Sequence, residues 1–218
     1  VYNWSGKHGD KGLGKVLRKI GVAPVVYDES QVDASVENIE RHLEYLGYYG
    51  SKVRSHSEMN GKKAEVFYDV TLGKRYLIDT ITFEVPYGSF REDFLLDTAN
   101  ISIKKGDYVS ESSLEAETER SAYWFRQNGW FGFTKNYYFF EADTLRHDGT
   151  ADLHMIVREY TRNQSPESAR PLEKYCIGNV SLSYDRGLRF NNKVLKDLNT
   201  IKSGSIYNEN DINNTYSR

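Results

Sequence analysis

The sequence predicts an α+β protein made of tandem β-α-α-β-β modules, each with two helices packed on a three-stranded mixed sheet. Three observations carry this expectation. A short helical signal followed by a spacer and a Tyr occurs three times: Lys15-Val-Leu-Arg-Lys-Ile20 before Tyr27, Phe94-Leu-Leu-Asp-Thr-Ala99 before Tyr108, and Lys193-Val-Leu-Lys-Asp-Leu198 before Tyr207. The second and third copies also share Ile-Lys-x-Gly, as Ile103-Lys-Lys-Gly106 and Ile201-Lys-Ser-Gly204. Finally, two longer helical segments end alike, in Leu46-Gly-Tyr-Tyr49 and Asn128-Gly-Trp-Phe131, and each is followed by two strands. Self-similarity of this kind marks an array of small units.

Each element has a local reason. Between Asp33 and Leu46, the apolar Val36, Ile39, Leu43 and Leu46 recur at steps of three or four, which places them on one helix face. Gly47 then supplies a left-handed residue that ends the helix. Lys63 to Val70 alternates as a strand does, split from the strand before it by Asn60-Gly-Lys62, a hairpin signal. Tyr76-Leu-Ile-Asp-Thr-Ile-Thr-Phe83 reads as a strand opening the next copy, echoed by Tyr175-Cys-Ile-Gly-Asn-Val-Ser-Leu182. In the second copy, Ser112-x-x-Glu115 fits a capping box, and Leu114, Ala122 and Phe125 face one way before Gly129. Thr134 to Glu141 and Ala151 to Val157 then form strands around His147-Asp-Gly149.

The boundaries follow. A first module covers 1–73, its opening strand unclear, and a second covers 74–162. The polar Asn163-Gln-Ser-Pro-Glu-Ser-Ala-Arg-Pro171 is a linker, and a truncated third module occupies 172–218. Val1 heads no charged and apolar leader pattern, and the polar stretch from Asn208 to Arg218 reads as a helix cut partway, so a larger protein is expected.

This order of elements, with Gly-aromatic-aromatic after the helix and Tyr-x-Ile-x-x-Ile/Val opening the next copy, resembles POTRA domains. These are the polypeptide-transport-associated modules that precede the membrane barrel in BamA/TamA-type outer-membrane assembly proteins. The resemblance spans nearly the whole chain. It implies a location at the periplasmic face of the bacterial outer membrane. The implied partners are unfolded outer-membrane clients, periplasmic or lipoprotein accessory subunits, and the protein's own C-terminal barrel. A two-partner secretion transporter and a POTRA-bearing cell-division protein are related readings, and a small α+β enzyme is the unrelated one.

Composition narrows the alternatives. With 29 basic and 31 acidic residues the net charge is -2, which gives no electrostatic case for nucleic acid. Seventeen Tyr and ten Phe are too many for a disordered tail. No apolar run reaches the roughly 18 residues of a bilayer-spanning helix. The single cysteine, Cys176, excludes an internal disulfide and fits a packing position in its strand better than a nucleophile. The five histidines lack metal-ligand spacing, and no nucleotide-binding loop or nucleophile elbow occurs, so no enzyme, cofactor, metal or small-molecule substrate is expected. Glu111, Glu115 and Glu119 line one helix face and read as solvated charge near a helix start. The segment Lys11 to Ile20 is amphipathic and basic; the repeat makes it the first core helix of a module, and an anionic membrane surface is its other reading.

Two strands are candidates for partner binding. In a β-α-α-β-β module the last strand is central, so the strand before the hairpin lies at an edge with free N–H and C=O groups. Those edges are expected at Lys52 to Ser57, with Lys52, Arg54 and His56, and at Thr134 to Glu141, with Lys135, Tyr137, Tyr138, Phe139 and Phe140. Main-chain pairing along such an edge would accept many client sequences.

Overall fold

The structure, a computed structural model, describes residues 26–146, 148–158, 172–183 and 192–217. The first module's opening strand, the Lys11 to Ile20 segment and the 163–171 linker lie outside them. The chain divides into two compact units, residues 1–43 with 51–72, and residues 44–50 with 73–218.

In the first unit, α1 (Glu29–Tyr45, its last turn assigned to the second unit) accompanies the hairpin of β1 (Lys52–Asn60) and β2 (Lys63–Thr71). The helix starts ahead of the expected Asp33 because Asp28 caps it, its carboxylate accepting from Ser30 N–H at 3.0 Å. The strands pair antiparallel from Lys52↔Thr71 to Asn60↔Lys63, which leaves Gly61-Lys62 as a two-residue turn with Gly61 at φ 63°. Alternation puts Val53, Ser55, Ser57 and Met59 on one face. That face meets α1: Val53 and Val32 are buried, and Glu40 accepts a 2.9 Å hydrogen bond from Val53 N–H.

The second unit holds the complete module. Its strands β3 (Leu77–Glu84), β4 (Tyr138–Asp143) and β5 (Thr150–Val157) make a mixed sheet in the order β3-β5-β4, with β3 parallel and β4 antiparallel to the central β5. Between β3 and β4 run α2 (Ser89–Asp97) and α3 (Glu111–Gln127). This is the expected β-α-α-β-β order, and the described residues form two separate sheets rather than one continuous sheet. Both helices lie over one sheet face, where Phe90, Phe94, Ala122 and Phe125 meet Trp130, Phe133, Met155 and Val157. A second cluster joins Ile78, Ile103, Val109, Ala151 and Leu153. The connection between β4 and β5 is longer than a two-residue turn: pairing stops at Asp143↔Asp152, and the Asp148 carboxylate turns the chain by accepting from Thr150 N–H.

Two details depart from the sequence reading. The cap of α3 is Ser110, whose extended backbone and 3.2 Å bond from Ser113 N–H start the helix two residues before Ser112. Among the described residues, 172–183 form no strand; Cys176, which is exposed, makes only an isolated bridge to Ile206. The helices α4 (Asn192–Leu198) and α5 (Glu209–Tyr216) follow.

The loops after α1 and α3 dock in the same way. Ile78 N–H donates to Asp107 O, Gly106 N–H to Ile78 O and Val109 N–H to Tyr76 O; Ile177, Gly204 and Tyr207 repeat this pattern with Ser205, Ile177 and Tyr175. Tyr207 therefore corresponds to Val109, and Tyr108 stands one residue off the register its sequence suggests. Into each such corner goes a Gly-aromatic-aromatic turn. The ring pairs Tyr49–Tyr76 and Phe131–Tyr175 both lie 5.9 Å apart, and the cations Arg75 and Lys174 sit over Tyr48 and Trp130. Gly47 and Gly129, at φ 89° and 100°, make the close approach possible.

The two glycines should differ under substitution. A Cβ at Gly47 would meet the Val109 carbonyl oxygen at 2.4 Å, whereas one at Gly129 would meet the side-chain atoms Lys174 Cγ and Ile206 Cγ2 at 2.8 and 2.9 Å. We expect Gly129→Ala to destabilise the second unit by about 1–2 kcal/mol, the left-handed penalty. Gly47→Ala should be worse, because a backbone oxygen cannot swing aside. Urea melts of both variants check the ranking; the reverse order would refute it.

Candidate functional site

The first expected edge is exposed and polar. Lys52, Arg54 and His56 lie on the face of β1 turned away from Val53. His56 stacks on Phe67 with ring centroids 4.9 Å apart, and its Nδ1 is 3.4 Å from Asp69. Arg54 is the cross-strand partner of Asp69, and Lys52 that of Thr71. The His56 side chain thus engages the neighbouring strand.

At the second edge the structure divides the expected residues. Lys135 to Tyr137 form a 3-10 turn, so the strand begins at Tyr138 rather than Thr134. Lys135 points back to α3, paired with Glu115 and, at 3.1 Å, with Glu119. Glu115 also accepts from the Tyr45 hydroxyl at 2.9 Å, so this acidic face is partly engaged rather than merely solvated. Tyr137 and Tyr138 are buried in the core; Tyr137 stacks on Phe133. None of Lys135, Tyr137 and Tyr138 is a free contact side chain, because the turn ahead of the strand drives two aromatics inward. Phe139 is exposed on the opposite face of the sheet, and Phe140 is half-buried on the helix side.

Backbone geometry locates the open groups of β4. Arg158 N–H donates to Tyr137 O at 2.9 Å, and the register runs on from Tyr138↔Val157. In an antiparallel ladder bonded and non-bonded pairs alternate. Phe139, Glu141 and Asp143 therefore bond to β5, while Tyr138, Phe140 and Ala142 turn their N–H and C=O groups outward. Among the described residues no strand lies on that side. Beside it runs a groove of about 720 Å³ between α3 and β4, lined by Leu114, Thr118, Tyr138, Phe139, Phe140 and Glu111 among others.

A buried polar network reaches the groove at Tyr138. Arg120 on α3 donates to both oxygens of Asp97 at 3.0 and 2.7 Å, and to Glu117 at 2.7 Å; both carboxylates are almost wholly buried. Glu117 accepts from the N–H and hydroxyl of Ser102 at 2.8 and 2.6 Å. Ser121 links Asp97 to the Tyr138 hydroxyl. Burial raises the Tyr138 phenol well above its ordinary range, so it stays a neutral hydroxyl. The hydrogen bonds it donates to Asp97 and Glu117 hold the Arg120 guanidinium above its own. Sequence reasoning missed this network, although Glu117 and Ser121 share the stripe of Leu114, Ala122 and Phe125, a polar intrusion on an apolar face.

Among the described residues there is no group of three or more His, Cys, Asp or Glu able to hold a metal ion. Nor is any helix among them long and apolar enough to cross a membrane. The chemistry on offer is main-chain hydrogen bonding beside an apolar groove.

Two outcomes follow from these contacts. Arg120→Met should destabilise the second unit by about 3 kcal/mol, since it strands two buried carboxylates, and urea melts would register it. A loss under about 1 kcal/mol would mean that water replaces the guanidinium. The Glu115 carboxyl is held below its ordinary range, first by the Lys135 hydrogen bond and then by Tyr45. A depressed carboxylate contributes stability above its unfolded titration range and loses it as pH falls through the folded one. In Lys135→Met, an NMR titration of Glu115 should therefore move up towards ordinary glutamate, and the variant's stability deficit should shrink as pH drops through that range. An unmoved midpoint would assign the depression to Tyr45.

No family model and no curated protein matches this sequence. Among solved structures, the chain is similar to POTRA domains 3–5 of Haemophilus influenzae BamA, at 14% identity and a TM-score of 0.49 over 89% of this chain and 70% of that one. It is similar to Haemophilus ducreyi BamA lacking POTRA domains 1–3, at 16% identity and 0.40, over 72% of this chain and 27% of that one. For the N-terminal domain of Omp85 from Thermosynechococcus elongatus the values are 13% and 0.31, over 62% and 55%. Scores and identities at this level carry no functional argument. The likeness they report is to the same modules that the sequence resembles, and the strand order β3-β5-β4 under two helices stands on its own geometry.

Proposed function

We propose that this chain is part of the periplasmic POTRA region of an outer-membrane β-barrel protein that assembles, inserts or translocates outer-membrane proteins. On this reading the modules fall at 1–73, 74–162 and 172–218, with 163–171 as linker. It is a binding scaffold rather than an enzyme. Its partners are unfolded outer-membrane clients and periplasmic or lipoprotein accessory subunits, and its own membrane barrel would follow in the chain.

One observation carries the binding mode: β4 is an edge strand whose outward groups lie beside the α3–β4 groove. An extended client segment can pair with Tyr138, Phe140 and Ala142 through its main chain and lay alternate side chains into the groove. Main-chain recognition tolerates varied sequences, as a machine with many clients requires. The β1 edge offers a second such strand.

Ala142 is the position for a test, since it is exposed and its N–H points outward. Proline there removes the donor and sets its ring in the path of an added strand, while β5 keeps its bonds. We expect Ala142→Pro to weaken binding of extended outer-membrane-type peptides at least about fivefold, the equivalent of one hydrogen bond. Circular dichroism should show an unchanged fold. Unchanged affinity with an intact fold would refute strand addition at β4.

A further inference from the structure

We propose that the β4 edge selects for client strands carrying a cationic residue opposite Glu141 and an apolar residue opposite Phe139; this rests on the strand-addition reading above. The odd-numbered residues of β4 project to the sheet face away from the helices, and they form a short row: Phe139, Glu141 and Asp143. A strand added outside β4 sets its own alternate side chains directly beside that row.

The charges on this face are acidic where they are free. Asp152 on β5 is paired with Arg146, which also reaches Asp79 at 3.0 Å. His154, the cross-strand neighbour of Glu141, turns its ring nitrogens to Thr82 at 2.6 Å and to Glu84 at 3.4 Å. The Asp143 carboxylate accepts from Leu145 N–H at 2.9 Å. None of these contacts reaches Glu141, which is exposed on the open side of the sheet and has no ion-pair partner among the described residues. At the other end of the row the cation is already present: Arg158 lies over the Phe139 ring, 5.7 Å from its centroid. A second cation beside Phe139 would meet Arg158, whereas an apolar or aromatic side chain would extend the stack.

The even-numbered residues supply the other half of the pattern. Client side chains opposite Tyr138, Phe140 and Ala142 face Leu114 and Thr118 in the groove, which favours apolar residues there. The recognised segment is thus an amphipathic strand, apolar at alternate positions, with cations at one end of its polar face and an apolar residue at the other. Opposite charges directly across strands favour pairing and like charges oppose it.

The probes are a capped peptide with the core Lys-Val-Lys-Val-Phe-Val, its counterpart with both Lys replaced by Glu, and the reversed order of each to sample both strand directions. Binding is read by fluorescence anisotropy at fixed ionic strength. The native chain should bind a Lys peptide about threefold to tenfold more tightly than the matching Glu peptide, and Glu141→Lys should reverse that order. Equal affinities for the two charges, both weakened by Ala142→Pro, would overturn the charge selection and leave strand addition standing. Binding that Ala142→Pro does not weaken would overturn both, as would the absence of binding by every peptide.

Discussion

Arg120 and the two carboxylates it clamps organise the second unit. Asp97 ends α2, Glu117 belongs to α3, Ser102 lies on the loop between them, and Tyr138 begins β4; all are joined through this guanidinium or one hydroxyl away from it. A buried charge without its counterion is strongly unfavourable, so the three groups enforce one another's positions. An apolar cluster of similar volume could match the stability. It would not fix the direction in which each helix end points, because packing is far less directional than a bidentate hydrogen bond. The network therefore ties Tyr138, the first residue of β4, to both helices through Ser121 and Asp97.

The second constraint is the turn that follows each long helix. A left-handed glycine and two aromatics enter a corner formed by an opening segment and the loop before the next helix. In the corner filled by Trp130 and Phe131, Asp93 receives the Trp130 indole N–H at 2.7 Å and the Lys174 ammonium at 2.6 Å. Arg126 is paired with Glu209 at 2.7 Å, and Asn208 caps α5 while donating to Gln127 O. Residues 172–183 make no strand among those described, and yet Lys174 ties them to Asp93 on α2. The recurrence seen in the sequence is thus a recurrence of docking surfaces as much as of secondary structure.

The β-α-α-β-β order over residues 77–157 was legible because periodicity, glycine positions and hairpin residues all depend on local physics. Helix starts were less so: the caps are Asp28 and Ser110, while the apolar periodicity begins later and drew the boundaries inward. The strand expected over Thr134 to Glu141 stands at an edge of its sheet but begins at Tyr138. Four successive aromatics read as a strand in which two point each way, but Tyr137 belongs to a 3-10 turn and Tyr138 is recruited to the core by Ser121. Nothing local announces that recruitment, since Asp97, Ser121 and Tyr138 meet only after the helices pack. Lys135 likewise meets Glu115 and Glu119 only once α3 is in place.

The two edges of the sheet are not equivalent, and the difference explains why β4 is the one available. The start of β3 is covered by the loop before α3, through the bonds among Tyr76, Ile78, Gly106, Asp107 and Val109. The same loop supplies the corner into which Tyr48 and Tyr49 fit, so exposing that edge would also dismantle the corner. No comparable segment among those described covers β4. Its inner residues are anchored, Tyr138 to Ser121 and Phe140 to both core clusters, so the strand keeps its extended form without a partner. An arriving chain then loses its own conformational freedom but none is lost by the receptor. Proteins usually blunt an open edge with charge, and Glu141 and Asp143 occupy the positions where such charge would stand. They deter pairing between like edges while leaving a cationic strand unopposed, so the same two carboxylates protect the edge and give it a preference.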